Sequence, residues 1–287
     1  MSYRRRASPL HAARAAAGCG FCLALAIAAL TLSAPVALGV VTLAITLAGL
    51  AAGVGRELRR AALFAIPLGL AVAVVNALVT RDGLTVVARL GHLPVLGRTD
   101  VTLEATAYGG ILGLRAAALI LCAALYTAAV DPDEVLKLFR RVSFRSALTA
   151  TLATRMFPVL ARDARRLTEA QRCRPGRPPT RVQLMRVATT GMLDRALDVA
   201  AALEVRGYGA ARRPPRIRRP YSRHDLAFAA SAIAIILLTI ALRVFDLAPF
   251  RAYPSLHAPI GVGQVASAAA LLAVALLPFA DRRGIEL

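Results

Sequence analysis

Glu169-Ala170-Gln171-Arg172-Cys173-Arg174-Pro175-Gly176 and Ala202-Leu203-Glu204-Val205-Arg206-Gly207-Tyr208 are two helix endings of similar form inside a polar block, residues 131–224, of an otherwise apolar chain. Each amphipathic run stops at an arginine followed directly by a helix breaker, Arg174 before Pro175 and Arg206 before Gly207. That order sets a fixed positive charge at a helix C-terminus. The block holds 21 basic and 8 acidic residues, while long apolar runs lie on either side of it. The contrast decides the fold class: an all-α polytopic membrane protein of about six transmembrane helices with a cytoplasmic helical insert.

Working outward, residues 1–130 form an N-terminal membrane part with four helices. Arg4, Arg5, Arg6 and Arg14 precede the first apolar run. They resemble the start of a signal peptide, but no convincing cleavage site follows, so the run reads as a retained span over 17–33. Pro35 marks a tight turn into a second span, 36–54, and a third covers 61–79 with Pro67 inside it, which predicts a kink. Residues 80–106 carry three arginines against three acids together with Gly83, Gly91, Pro94 and Gly97. They read as a neutral external loop with a short re-entrant or interfacial piece. A fourth span follows over 107–130, and residues 225–287 form a C-terminal membrane part with two more, 225–245 and 259–280. The basic segments are the N-terminus, the 56–60 loop and the 131–224 block, and six spans put all three on one side. The positive-inside rule then makes both termini cytoplasmic in a multi-pass membrane protein.

Inside the insert, Asp131-Pro132-Asp133-Glu134 starts a short helix. A longer one is expected over 145–174, with Leu148, Leu152, Met156, Val159, Leu160 and Leu167 on one face and Pro158 interrupting and bending it. The segment Pro175-Gly176-Arg177-Pro178-Pro179 breaks it. A third helix is expected over 181–206, with Val182, Met185, Met192, Ala196, Val199 and Leu203 on one side and Gly207 closing its end. Residues 210–220 then form an extended basic tether back to the membrane.

Several chemistries lack their residues. Four cysteines are too scattered for a disulfide framework or a zinc site, and Cys19-Gly20-Phe21-Cys22 sits in an apolar run without polar support. No G-x-x-x-x-G-K-[ST] phosphate loop is present, so this chain is not expected to hydrolyse ATP itself; separately, no cofactor or metal of its own is expected. His11, His92, His224 and His257 fall in separate segments, which weighs against a membrane enzyme. The basic block lacks an aromatic platform for nucleic acid. Contact of Arg212, Arg213, Arg216, Arg218 and Arg219 with anionic lipid is a secondary role to weigh. Arg115 in the fourth span reads either as a structurally paired charge or as an interface residue, and Asn76 as an interhelical hydrogen-bond residue.

In Arg155-Met156-Phe157-Pro158, in Glu169 to Arg174 and in Asp198 with Ala202 to Tyr208, the chain resembles the transmembrane T component of energy-coupling factor transporters, the ATP-driven importers of cobalt or nickel ions, biotin and other vitamins. The resemblance covers most of the chain. The family carries two Ala-Arg-Gly signatures, one near the end of each long coupling helix, which align with Cys173-Arg174-Pro175 and Val205-Arg206-Gly207. Both arginines match, while Cys173, Val205 and Pro175 depart from the pattern. The resemblance implies a non-catalytic subunit whose two tips sit on two ABC-type ATPase subunits, which bind the ATP and magnesium. Pro158, Ala170, Gln171 and Glu204 would support the tips. Through them ATP-driven closure would pass to a substrate-binding S component in the membrane.

Overall fold

The computed structural model describes residues 6–80, 85–93, 97–139, 144–173, 180–207, 220–245, 261–281 and 283. It is an all-α polytopic membrane protein, apart from one short hairpin. After a single helical turn α1 (Pro9–Ala12) come α2 (Ala15–Thr31), α3 (Pro35–Ala51) and α4 (Gly55–Val79). The strands β1 (Val86–Leu93) and β2 (Gly97–Thr102) precede α5 (Leu103–Ala129), α6 (Pro132–Phe139), α7 (Phe144–Arg172) and α8 (Arg181–Val205). Helices α9 (Arg223–Val244) and α10 (Val262–Leu276), the latter continued by a 3-10 turn at Leu277–Phe279, complete the described elements.

Among the described residues three helices, α4, α5 and α9, are long and apolar enough to cross a membrane. The apolar helices α2 and α3 have 17 residues each, about 25 Å of rise, at the lower limit of what spans a hydrocarbon core. Residues 263–279 form the other shorter apolar helix.

The chain divides into two compact units, Met1–Val135 with Tyr221–Leu287, and Leu136–Pro220. The apolar parts at the two ends of the chain therefore share one core. Phe21 of α2, Phe228 of α9 and Phe279 of the 3-10 turn meet edge to face, with ring centroids 5.2–6.1 Å apart. Ser231 of α9 donates to the carbonyl of Val274 on α10 at 2.8 Å, and the Cys122 thiol on α5 donates to the carbonyl of Cys22 on α2 at 3.2 Å. Cys19 and Cys22 are free thiols.

Helices α4 and α5 approach backbone to backbone. A Cβ on Gly113 would lie 2.3 Å from the Gly69 carbonyl oxygen, and one on Gly109 would lie 2.6 Å from that of Ala73. Small residues at this spacing let two spans touch where lipid supplies no hydrophobic drive to pair them. α4 runs on through Pro67 as one helix.

The expected loop at 80–106 contains an antiparallel hairpin instead. Its register sets Arg89 opposite Asp100 and Leu93 opposite Gly97, with irregularities between Val86 and Ala88 and between Arg89 and His92. The β-branched residues Val86, Val87, Val101 and Thr102 favour pairing over a re-entrant helix. Thr102 caps α5 by accepting from Ala105 N–H at 3.2 Å, and the buried Glu104 accepts from the Thr85 hydroxyl at 2.9 Å. Near the same end, Asn76 donates to the Ala105 carbonyl at 3.5 Å, joining α4 to α5.

Arg115 has a structural partner. Its guanidinium donates to the carbonyl of Leu32, the C-cap of α2, at 3.0 Å. A cation there meets the negative end of the α2 dipole.

Candidate functional site

The two long helices of the second unit, α7 and α8, carry the residues singled out in the polar block. α7 runs unbroken through Pro158 from Phe144 to Arg172, so the proline bounds no element. Its described inner face is Leu152, Met156, Val159, Leu160 and Leu167, all half-buried, in the expected three- and four-residue rhythm. Leu148 lies outside the residues whose side chains are described.

α8 presents a different face from the one expected. Val199 and Leu203 are half-buried as foreseen, but Val182, Met185, Met192 and Ala196 are exposed, and Ala188 and Arg195 take their place on the inner side. In this rotation an ion pair joins Arg195 on α8 to Asp163 on α7. Apolar residues surround α8, so several rotations would bury some of them, whereas a single one pairs these two charges. The hydrogen bond and charge of Arg195 hold the Asp163 carboxyl below its ordinary range.

The start and the end of α8 are both locked locally. At the start, Thr180 accepts from Gln183 N–H at 3.4 Å and Gln183 accepts from Thr180 N–H at 3.0 Å, a reciprocal capping box. Its signal stands in the sequence as Thr180-x-x-Gln183, a helix start that the apolar pattern alone does not mark. At the end, Arg206 is the C-cap residue. Gly207 follows at φ +73°, and its N–H donates to the Glu204 carbonyl at 2.8 Å. This left-handed turn halts the helix and is open to glycine at little cost.

The tip so formed projects its side chains outward: Val205 is 90% exposed, and Ala202, Glu204 and Arg206 are exposed as well. A guanidinium fixed at a helix end can dock on a carboxylate through two parallel hydrogen bonds.

The first tip is described only up to its edge. α7 ends at Arg172, and Cys173 N–H still reaches the Glu169 carbonyl at 3.3 Å. Pro158, Ala170 and Cys173 are exposed and Gln171 is half-buried. Arg174 and Pro175 lie outside the described residues. Of the two expected arginines, Arg206 is therefore the one whose setting is on view.

Over residues 6–216 the chain matches the family described as CbiQ, cobalt transport protein. The chain belongs to this family. A search among curated proteins gives no match. A CbiQ protein with these apolar helices is a membrane component of a transport system, a class that works with partner subunits. The match takes in both helix tips and stops before α9, although α9 packs within the same unit as α2.

Proposed function

We propose that this CbiQ protein is the energy-coupling subunit of an ATP-driven, energy-coupling-factor-type importer in a prokaryotic cell membrane, with both termini in the cytoplasm. It hydrolyses nothing itself. Arg174 and Arg206 dock on two ABC-type ATPase subunits, which carry the ATP and magnesium, and the helices behind them pass the closing motion to a substrate-binding S component. The observation that carries this reading is the exposed Arg206 on a helix end stopped by a left-handed glycine, in a transport family whose match includes it. Such a tip resists fraying, so force applied to the guanidinium is delivered along the helix rather than lost in a flexible loop. The family description makes cobalt ion the first cargo to test; nickel, biotin or another vitamin would be set by the S component.

The test is to purify the tagged full-length protein in mild detergent from its native membrane, beside an Arg174→Glu, Arg206→Glu double variant, and to identify what co-elutes. The expected result is ABC-type ATPases with the wild type and their loss from a variant that still melts like the wild type. Wild type without ATPases, or a variant that holds them equally well, overturns the coupling role and brings lipid contact or an unrecognised membrane enzyme forward. A small membrane protein retained in both would identify the S component.

A further inference from the structure

The end of the membrane unit where the insert leaves and returns holds a polar junction that neither the helix tips nor the apolar core accounts for. α2 begins after Arg14, its N-cap residue, which forms no side-chain cap hydrogen bond. The first amides of a helix have no partner within it and attract negative charge. Here two carboxylates from distant parts of the chain take them. Arg14 N–H donates to Asp225 Oδ1 at 2.6 Å, and Ala15 N–H donates to Glu134 Oε2 at 3.2 Å.

Further contacts tighten the first of these. Arg14 Nε lies 3.2 Å from Asp225 Oδ2, and the Arg14 guanidinium carbon stands 4.6 Å from the centre of the Tyr221 ring. Asp225 is buried and also accepts from Ser222 N–H at 2.9 Å. One carboxylate thus closes the starts of α2 and α9 together.

The places of these residues in the chain give the junction its meaning. Glu134 stands in the first turn of α6, just before the chain leaves the first unit at Val135, and Tyr221 to Asp225 stand where it returns. A helix start that needed only capping would be served by a neighbour such as Ser or Asp in its own N-cap position. α2 is instead capped by both flanks of the insert, and it packs on α9, α5 and α3. It is the element from which a displacement would spread through the unit.

We propose that the N-terminus of α2 is the common anchor of both ends of the insert, with Asp225 and Glu134 as positioning residues that carry movement of the insert to the membrane helices. This rests on the coupling reading above. Each flank is tied to α2 by a charge-assisted bond, short at Asp225 and longer at Glu134, so a pull on either flank is felt at the start of α2. Transmission further requires that the bonds differ between the ATPase states, because a contact equal in both shifts nothing.

The test follows backbone hydrogen exchange at the start of α2 in the full-length protein purified with its ATPases, without nucleotide and with ATP plus vanadate. In the wild type the exchange of these amides should differ by about tenfold between the two conditions, as expected for a charge-assisted bond made in one state and weakened in the other. In Asp225→Asn and in Glu134→Ala the difference should fall below about twofold while the ATPases stay bound. A simple capping role predicts otherwise: the variants would speed exchange in both conditions and leave the nucleotide effect in place. That result overturns the anchor, as does a wild type whose exchange ignores nucleotide. Glu134 is half-exposed, so Glu134→Ala remains decisive if the buried Asp225→Asn fails to fold. Absence of ATPases from the wild type would remove the coupling reading itself, an outcome visible before any exchange is measured.

Discussion

Both units expose apolar side chains, and the comparison shows that the same exposure has different consequences in each. In the first unit Leu63, Phe64 and Ile66 on α4 are 65–76% exposed, but α4 is long and apolar enough to cross a bilayer, where lipid covers such residues. In the second unit Val182, Met185, Leu193 and Leu197 on α8 are 61–69% exposed, on a helix that also carries Arg181, Arg186, Asp194, Arg195 and Asp198. Exposure on a charged helix leaves apolar area in water until another surface covers it. The first unit is held by an aromatic core and backbone-close helices. The second joins α7 to α8 through a half-buried seam and one described ion pair.

The sharpest way to break this comparison is to remove a large side chain from each unit. Phe228 is 0% exposed, and Leu193 is 62% exposed. Phe228→Ala should cost about 3 kcal/mol through lost packing, and Leu193→Ala less than about 0.5 kcal/mol. Thermal unfolding in detergent reads both; equal losses would mean that α8 is packed into a core after all.

A smaller effect separates the two glycines of α8 and its stop. Gly207 holds φ +73°, whereas Gly191 sits inside the helix, where an added methyl group would meet nothing within 4 Å. Gly207→Ala should destabilise the helix end by about 1 kcal/mol, and Gly191→Ala should stabilise the helix by up to about 1 kcal/mol. Hydrogen exchange along α8 checks the opposite signs.

The smallest effect is acid sensitivity of the α7–α8 pair. Asp163 titrates below its unfolded value, so its contribution is complete above the ordinary carboxylate range and disappears as pH falls through the lowered value. Both side chains keep part of their surface in water, which keeps the effect small. Protection of α8 amides, taken relative to the intrinsic exchange rate at each pH, should fall on acidification in the wild type, and less so in Asp163→Asn.

Much of this was legible in the sequence because hydropathy and helix-ending chemistry are local. The six apolar runs, the polar insert and the glycine stop after Arg206 each follow from a few adjacent residues. The rotation of α8 was not legible, because apolar residues on several sides leave the 3.6-residue period without a preferred face. The hairpin at 86–102 hid behind near-neutral charge, although its β-branched residues carried the signal. The junction at α2 pairs Arg14 with Asp225, 211 positions away, and Ala15 with Glu134, 119 positions away.

Local chemistry thus settles that the chain enters a membrane and that α8 stops at Arg206 before Gly207. Solvent transfer and backbone geometry act over neighbouring residues. The tertiary structure alone decided which side of α8 is covered, that the two apolar ends of the chain share one core, and that both flanks of the insert meet one helix start. Those outcomes depend on which charges and surfaces come within a few ångströms of each other after folding, and separation along the chain carries no trace of that distance.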